Sequence, residues 1–458
     1  MSEARNPDDT LLIDACRHGR RDAVVSFIAD GASVHEPKTD GSGATPLWIS
    51  AQEGHTELVS MLLQHGAAVN DVDKEGVAPL LMASQNGHTK TASVLIAAGA
   101  VVNHVDGEGV SPLHVACQNG HTQTARMLIA AGAAVNLTDQ EGFSPLLMAC
   151  EDGHTETASM LLAAGAAVNQ ANKVGTSPLY ISCEDGHAKT ASVLLAAGAA
   201  INQADEEGTT PLFIACQDGH TETVLVLLAA GAAMNQTEQE GISPLYVACQ
   251  DGHTVTASAL LAARADVDLV NNDGDSALLI ACQQGHLCTV QLLSSYCASR
   301  QVNPQLTAED VATLCDRQEV TAWLERSRLW STPLHHVDVI DVDRARALLR
   351  DGADVSAAAA PGGPTPLSLA RAMVEAGDAA DDSAAQLVVD AAKPWSEATH
   401  ALFPSAARAL AAELLRLGYL LSRQERFNGE ETALFDLWME LVVPQAVTRR
   451  VFSDLLAI

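Results

Sequence analysis

The sequence contains few aromatic and few basic residues. Phe, Trp and Tyr together account for 3% of its 458 residues, so Ala, Leu and Val must supply most of the core. Lys and Arg number 26 against 57 Asp and Glu, which gives a formal net charge of −31. Nucleic acids and anionic membrane surfaces attract proteins through Lys and Arg. The charge balance therefore argues against both and favours a basic or polar protein partner.

Long apolar runs and the common catalytic motifs are also missing. No run reaches the roughly 20 residues that a membrane-spanning helix needs, and the polar, acidic start from Met1 to Asp9 is unlike a signal peptide. The sequence has no phosphate-binding loop, Gly-x-Ser-x-Gly elbow, His-Glu-x-x-His pair or kinase motif set. We therefore expect an intracellular, cytoplasmic protein, with a nuclear location left open, that is not an enzyme and uses no cofactor.

What the sequence does contain is a repeat of 33 residues. One proline per repeat keeps this spacing without interruption, at Pro46, Pro79, Pro112, Pro145, Pro178, Pro211 and Pro244. A Gly-His pair follows each of these prolines by eight residues, and two further glycine columns run in the same register. Columns that keep one register over seven units predict a series of identical structural units.

The columns predict two helices in each unit. Ser111 can cap a first helix through its hydroxyl, and Pro112 fits the first helical position, where no N–H is needed. Gly120 can adopt the left-handed conformation that ends this helix. A second helix is expected from about Thr122 to Ala131, and residues 106–109 form a tight turn. Neither helix has enough apolar surface for its own core, so the units must stack.

This pattern resembles the ankyrin repeat. The family motif Thr-Pro-Leu-His-x-Ala corresponds to Ser111–Ala116, and the family's Gly-His and Gly-Ala-x-Val-Asn elements correspond to Gly120–His121 and Gly132–Asn136. The resemblance is specific over about 45–303. It implies an all-α ankyrin-repeat solenoid of helix-turn-helix units, joined by turn or β-hairpin connections.

The strength of the repeat predicts five segments. Residues 1–44 would form an N-terminal ankyrin-like capping repeat with a loop, and residues 45–303 the regular 33-residue repeats. Residues 304–328 read as a degenerate repeat, and residues 329–393 as two further ankyrin-like repeats. Residues 394–458 lack the repeat and are expected to form a small C-terminal helical cap, because the apolar side of a terminal repeat must be covered.

Two departures from the family pattern affect the expected stack. The motif histidine is retained at His114, and the other regular units carry an apolar or aromatic residue there: Trp48, Leu81, Leu147, Tyr180, Phe213, Tyr246 and Leu279. Since that histidine bridges repeats in the family, we expect apolar packing to take over this role. Arg264 replaces the glycine that ends a second helix, which predicts a local distortion of the stack.

Cysteine and histidine also recur in columns. Seven cysteines share one slot of the first helix: Cys16, Cys117, Cys150, Cys183, Cys216, Cys249 and Cys282. Adjacent helices pack about 8–10 Å apart, whereas a disulfide needs Cα atoms within about 7 Å. We therefore expect buried, unpaired thiols and a reducing compartment. The Gly-His histidines occur once per repeat and cannot converge on one ion, so we interpret them as structural and predict no metal site.

The resemblance also implies where a partner binds. In ankyrin-like stacks the turn tips and the ends of the first helices line a concave, partner-binding face. The corresponding residues here are Glu108, Gln118, Asn119, Glu141, Phe143, Glu151, Asp152, Glu184, Asp185, Glu207, Gln217, Asp218, Glu240, Gln250 and Asp251. They would form two parallel ridges of carboxylates and amides beside an apolar contact. Two alternatives stay open, namely that the acidity serves only solubility and that the aromatic ring belongs to the core.

Three classes of function follow from this interpretation. The leading hypothesis is a monomeric protein-interaction scaffold whose acidic concave face binds a basic or amide-rich segment. The alternative is an adaptor that delivers a client to a ubiquitin-ligase-type machine through its C-terminal segment, where Leu434–Trp438 is faintly similar to an F-box-like helix. A purely structural spacer is the third class. Loss of binding after neutralising the acidic ridges would separate the first class from the third.

Overall fold

The computed structural model describes residues 7–38, 41–303, 306–358, 362–393, 399–403 and 407–409. The chain divides into two compact units, residues 1–248 and residues 249–458. Nearly all regular structure in the described residues is helical, as the sequence predicted. Across these same ranges, no helix combines the length and the apolar character that crossing a membrane requires.

The first unit is a series of helix pairs. The N-terminal pair is α1 (Pro7–Arg17) with α2 (Arg21–Ala29). The next pairs are α3 (Pro46–Gln52) with α4 (Thr56–Gln64), α5 (Pro79–Gln85) with α6 (Thr89–Ala97), α7 (Pro112–Gln118) with α8 (Thr122–Ala130), α9 (Pro145–Glu151) with α10 (Thr155–Ala163), α11 (Pro178–Glu184) with α12 (Ala188–Ala196), and α13 (Pro211–Gln217) with α14 (Thr221–Ala229). First helices pack on first helices and second helices on second helices, which is the stacking that the period predicted.

The division between the units falls within α15 (Pro244–Gln250). Further helices of the second unit are α16 (Thr254–Ala262), α17 (Ala277–Gln284), α18 (Leu287–Ser295), α19 (Ala308–Leu314), α20 (Gln318–Arg326), α21 (Val342–Arg350), α22 (Pro366–Ala376) and α23 (Ala384–Ala391). A short antiparallel hairpin joins β1 (Gln301–Asn303) to β2 (Leu306–Thr307). Two 3₁₀ helices span Pro333–His336 and His400–Leu402. Residues 410–458, most of the predicted C-terminal cap, lie outside the described residues.

Most first helices begin with a side-chain cap, although α5 follows Ala78 and has none. The Ser111 hydroxyl accepts a hydrogen bond from the His114 N–H, and Pro112 follows at the first helical position. The His114 ring accepts a bond from the Ser111 N–H at Nδ1, 3.1 Å away. Its Nε2 donates to the Phe143 carbonyl in the next repeat at 3.0 Å. One side chain therefore caps its own helix and ties two repeats together.

The expectation that apolar packing replaces this histidine holds at Leu81 and Leu147, which are buried, and at Trp48 a hydrogen bond adds to apolar packing. The Trp48 indole Nε1 donates to the Val77 carbonyl at 3.1 Å, the same reach of 29 residues that His114 has. An indole N–H can replace an imidazole N–H because both are ring donors on a short stem.

The local turn at Arg264 is not distorted as the sequence had led us to expect. Arg264 adopts a φ of +73°, which is the left-handed conformation that glycine has at the equivalent positions. Its N–H bonds to the Leu261 carbonyl at 3.0 Å, as the N–H of Gly231 does to Leu228 at 3.1 Å. The arginine therefore keeps the turn and bears backbone strain instead.

The cysteine column lies in the core. All seven slot cysteines are buried, and none of them forms a disulfide. Burial raises the pKa of the Cys150 thiol to about 12, and the nearby Ser182 hydroxyl lowers it only slightly. The neighbouring first-helix residue Leu179 is 1% exposed. These small and medium side chains allow the thin helices to approach closely.

Candidate functional site

Most turns of the first unit use aspartate to hold their shape, and Asn172 and Glu238 take its place in two of them. The Asp139 carboxylate accepts hydrogen bonds from the N–H groups of Glu141 at 3.0 Å and Phe143 at 2.8 Å. Asp205 does the same for Glu207 and Thr209. These aspartates are therefore structural, and the exposed glutamates beside them are not needed for the turn.

Backbone bonds tie the tips of successive turns. The Glu108 carbonyl accepts from the Gln140 N–H at 2.9 Å, and the Glu141 carbonyl accepts from the Lys173 N–H at 3.1 Å. The Glu207 carbonyl accepts from the Gln239 N–H at 3.2 Å. The side chains of Glu108, Glu141, Glu207 and Glu240 are exposed. The structure therefore holds one free carboxylate per repeat at this edge, except where Val174 interrupts the column.

The Gly-His pairs fix the ends of the first helices. His154 donates from Nε2 to the Gln118 carbonyl at 2.9 Å, and His187 donates to the Glu151 carbonyl at 3.0 Å. His220 donates to the Glu184 carbonyl at 2.9 Å. Each histidine thus satisfies a carbonyl that the preceding first helix leaves without an intrahelical partner. The structural role predicted for this column is confirmed.

Most side chains at these helix ends are exposed to solvent. Gln118, Asn119, Asp152, Glu184, Asp185, Gln217 and Asp218 are exposed, and Glu151 is half-buried. The Asn119 amide donates to its own helix at the Val115 carbonyl, 2.8 Å away. Gln250 and Asp251 belong to the second unit, so the structure does not join them to the others in one described site.

Carboxylates crowd at the ends of α9 and α11. Burial raises the pKa of Glu151, and the charges of Asp152 and Asp185 raise it further. Burial likewise raises the pKa of Glu184, followed by the charges of Asp185, Asp218, Glu151 and Asp205. The pKa of Asp185 is also raised by burial, with His187 and His220 opposing the shift.

Among the residues that the structure describes, Glu151, Asp152, Glu184 and Asp185 form no ion pair with Lys or Arg. Neither α9 nor α11 has a basic residue in its last turn, although a helix carboxyl end favours positive charge. A cationic side chain of a partner would pair with these carboxylates and would also supply positive charge at the helix carboxyl ends.

An open groove lies between the turn tips and the ends of α9 and α11. Its volume is about 350 Å³, near the lower end of the range for ligand pockets. It is lined by Glu141, Phe143, Glu151, Asn172, Lys173, Val174, Thr176, Ile181 and Glu184. Four of these residues were predicted as site residues from the sequence, namely Glu141, Phe143, Glu151 and Glu184. The other five were not predicted.

Aromatic side chains divide between the groove and the core. Phe143 is half-buried and lines the groove, whereas Tyr180 and Phe213 are 8% and 7% exposed. The Tyr180 hydroxyl also bonds to Asp205, and burial followed by the Asp205 charge raises its pKa. Phe143 is thus a groove residue, and the other two rings are core residues.

No metal centre is found in the described part of the chain, where no group of three or more His, Cys, Asp or Glu is arranged to hold an ion. The Gly-His histidines each bond to a different carbonyl instead. The surface can offer charge, amides and an apolar groove to a partner.

The match to a family model agrees with this architecture. The family model described as ankyrin repeats (3 copies) matches residues 12–106, 98–172, 161–238 and 226–308, which together exceed half of the chain. The crystal structure of the human ASB11 ankyrin repeat domain is similar, with 30% identity, 48% of this chain and 97% of that chain covered, and a TM-score of 0.44. No curated protein matches the sequence significantly.

Proposed function

The chain belongs to the ankyrin-repeat family, and we propose that it binds a basic or amide-rich segment of another protein on the acidic face of its first unit. Ankyrin repeats generally mediate protein–protein interaction, and their fold is typically a non-enzymatic scaffold. The observation that carries the finer proposal is the cluster of Glu151, Asp152, Glu184 and Asp185, which forms no ion pair with Lys or Arg in the described residues. Burial, and after it the charges of neighbouring carboxylates, raises the pKa of Glu151, Glu184 and Asp185.

Further features of the proposal concern the state of the protein. It acts as a monomeric scaffold inside the cell, without catalysis and without nucleic acid as a partner. Buried cysteines that form no disulfide fit a reducing compartment, and the net charge of −31 disfavours phosphate backbones. The adaptor alternative depends on Leu434–Trp438, which lies outside the described residues, so it stays a prediction from the sequence.

Charge neutralisation tests the proposal. The test variant carries Glu151→Gln, Asp152→Asn, Glu184→Gln and Asp185→Asn. The control variant loses the same number of charges from exposed first-turn positions of second helices, through Asp22→Asn, Glu57→Gln, Glu156→Gln and Glu222→Gln. Fluorescence anisotropy measures the affinity of each protein for a labelled octalysine peptide and for a glutamine-rich peptide at low and physiological salt.

We expect the test variant to lose about tenfold or more in octalysine affinity, together with most of the salt dependence. The control should keep both within about twofold, because its charges lie at the starts of second helices and away from the carboxyl ends of α9 and α11. Equal losses of affinity in the two variants would show that binding depends on the overall negative charge and not on this cluster. If the natural protein binds neither peptide, the proposed class of partner is refuted.

A further inference from the structure

The groove at the ends of α9 and α11 is where the repeat departs from its own pattern. Six residues after the position of the repeat's proline, the other regular repeats carry glutamine, at Gln52, Gln85, Gln118, Gln217, Gln250 and Gln283, whereas glutamate stands there at Glu151 and Glu184. The tip residue is glutamate in neighbouring turns and valine at Val174. All three exceptions line one groove.

Val174 is not required by the turn that carries it. Its N–H donates to the Asn172 side chain at 3.2 Å, and its carbonyl accepts from the Glu206 N–H at 3.2 Å. Backbone atoms of glutamates serve the same purpose in neighbouring turns. The Val174 side chain is 58% exposed. The sequence therefore leaves apolar surface in water here, beside Phe143 and Ile181.

Charged side chains surround the apolar strip of Phe143, Val174 and Ile181. Glu141, Glu151 and Glu184 line the groove, against the single cation Lys173. A partner that fills the groove must therefore offer an apolar side chain to the strip and positive charge to the glutamates. Neither a purely apolar segment nor a purely basic one satisfies both requirements.

The spacing of the glutamates sets the spacing in the partner. Glu151 and Glu184 occupy equivalent positions in successive repeats, and packed helices lie about 8–10 Å apart. An extended chain advances about 3.3 Å per residue, and a polyproline II helix brings every third side chain to the same face after about 9 Å. Two side chains three residues apart in a polyproline II segment therefore match the two glutamates.

We propose that this groove binds an extended segment with Lys or Arg at two positions three residues apart and an apolar residue between them. The basic side chains pair with Glu151 and Glu184, and the apolar side chain covers Val174 and Phe143. This inference rests on the proposed function and specifies the partner sequence.

A set of synthetic peptides of equal length tests the inference by fluorescence anisotropy on the full chain. The first peptide has two arginines three residues apart with a leucine between them, in a Gly, Ser and Pro background. The second replaces the leucine with serine, the third keeps the composition but places the arginines side by side, and the fourth replaces both arginines with glutamine. We expect the first peptide to bind about tenfold more tightly than each of the others.

Two variants of the protein separate apolar contact from charge. Val174→Glu installs the residue that Glu141 and Glu207 already show to fit this turn, and it adds a negative charge. Pure electrostatics predicts tighter binding of every basic peptide. We instead expect the advantage of leucine over serine to fall from about tenfold to about twofold or less. Phe143→Thr is a second variant of this kind, because Thr176 and Thr209 occupy its position in the next repeats.

The failures are distinguishable. If all basic peptides bind equally well, and Val174→Glu tightens them equally, the partner sequence proposed here is wrong while the acidic binding face stands. If basic peptides bind no better than the glutamine peptide, the proposed function itself is refuted. Far-ultraviolet circular dichroism confirms that each variant is folded before its affinities are compared.

Discussion

The Gly-His pair makes a sharp prediction about how repeats are held together. Gly120 has a φ of +66°, and a Cβ added there would lie 2.6 Å from the ring of His154 in the next repeat. That ring bonds to the Gln118 carbonyl at 2.9 Å. Gly120→Ala must therefore push the ring away and break the bond between the repeats.

The cost can be compared with a glycine of the same repeat. Left-handed backbone costs alanine about 1–2 kcal/mol, and a lost hydrogen bond adds about 1 kcal/mol. With the displaced ring, we expect Gly120→Ala to cost about 3 kcal/mol. Gly132 has a φ of +95°, but nothing lies within 4 Å of its added Cβ. Gly132→Ala should therefore cost only the backbone strain, about 1–2 kcal/mol.

Urea unfolding of the full chain, followed by circular dichroism, measures both costs. A second comparison uses His154→Ala, which removes the ring that an added Cβ would meet. In that background Gly120→Ala should cost no more than Gly132→Ala does, because only strain is left. Equal costs for the two alanines in the natural background, or strict additivity with His154→Ala, would refute the interlocking of glycine and histidine.

Four further predictions concern strain, core, thiols and acid. Arg264→Gly should stabilise the second unit by about 1 kcal/mol in urea melts by relieving its φ of +73°, whereas Arg264→Ala should not; a loss of stability on Arg264→Gly would contradict this account. Leu179→Ala should cost about 2–5 kcal/mol by the same assay, since the side chain is 1% exposed; a change below about 0.5 kcal/mol would show that this position is not core. Cys150 should react with a thiol reagent only after denaturation, because it is buried and its pKa is raised to about 12; rapid native labelling would contradict the packing. Burial, then Arg300, His335 and Arg344, lower the pKa of His336 from 6.5 to about 3. Below about pH 6.5 the unfolded chain therefore binds a proton at His336 that the folded chain does not bind. The free energy of unfolding should fall by about 1.4 kcal/mol per pH unit in this range; a His336→Gln variant whose stability falls equally steeply with pH would refute this.

Much of the fold could be predicted because each column has a local cause. A serine followed by a proline, as at Ser111 and Pro112, specifies a helix start. A glycine that can adopt a positive φ, as at Gly120, specifies a helix end. The exceptions could not be predicted in this way. Whether Trp48 bridges two repeats depends on the reach of its indole N–H to Val77, which only the packed structure sets.

The candidate site was predictable in outline and incomplete in detail. The turn and helix-end columns identify surface positions such as Glu141 and Asp185, because the repeat fixes which slots face solvent. The sequence could not show that Phe143 and Ile181 share a groove, since this depends on how successive turns approach each other. Val174 was visible as a break in the glutamate column, and that break was the available signal.

Main chain and side chain have separate tasks at this site, and this separation supports the proposal that its charge serves binding more than solubility. The carbonyl groups of Glu151 and Glu184 hold the stack through His187 and His220, while the carboxylates have no such use. Glutamine would serve the carbonyl equally well, as it does in the other regular repeats, and would avoid both the unfavourable helix end and the mutual repulsion. Solubility could be gained from a carboxylate at any exposed position at lower cost. Charge placed where it opposes local stability, beside an exposed valine, is instead the conflict expected at a functional site.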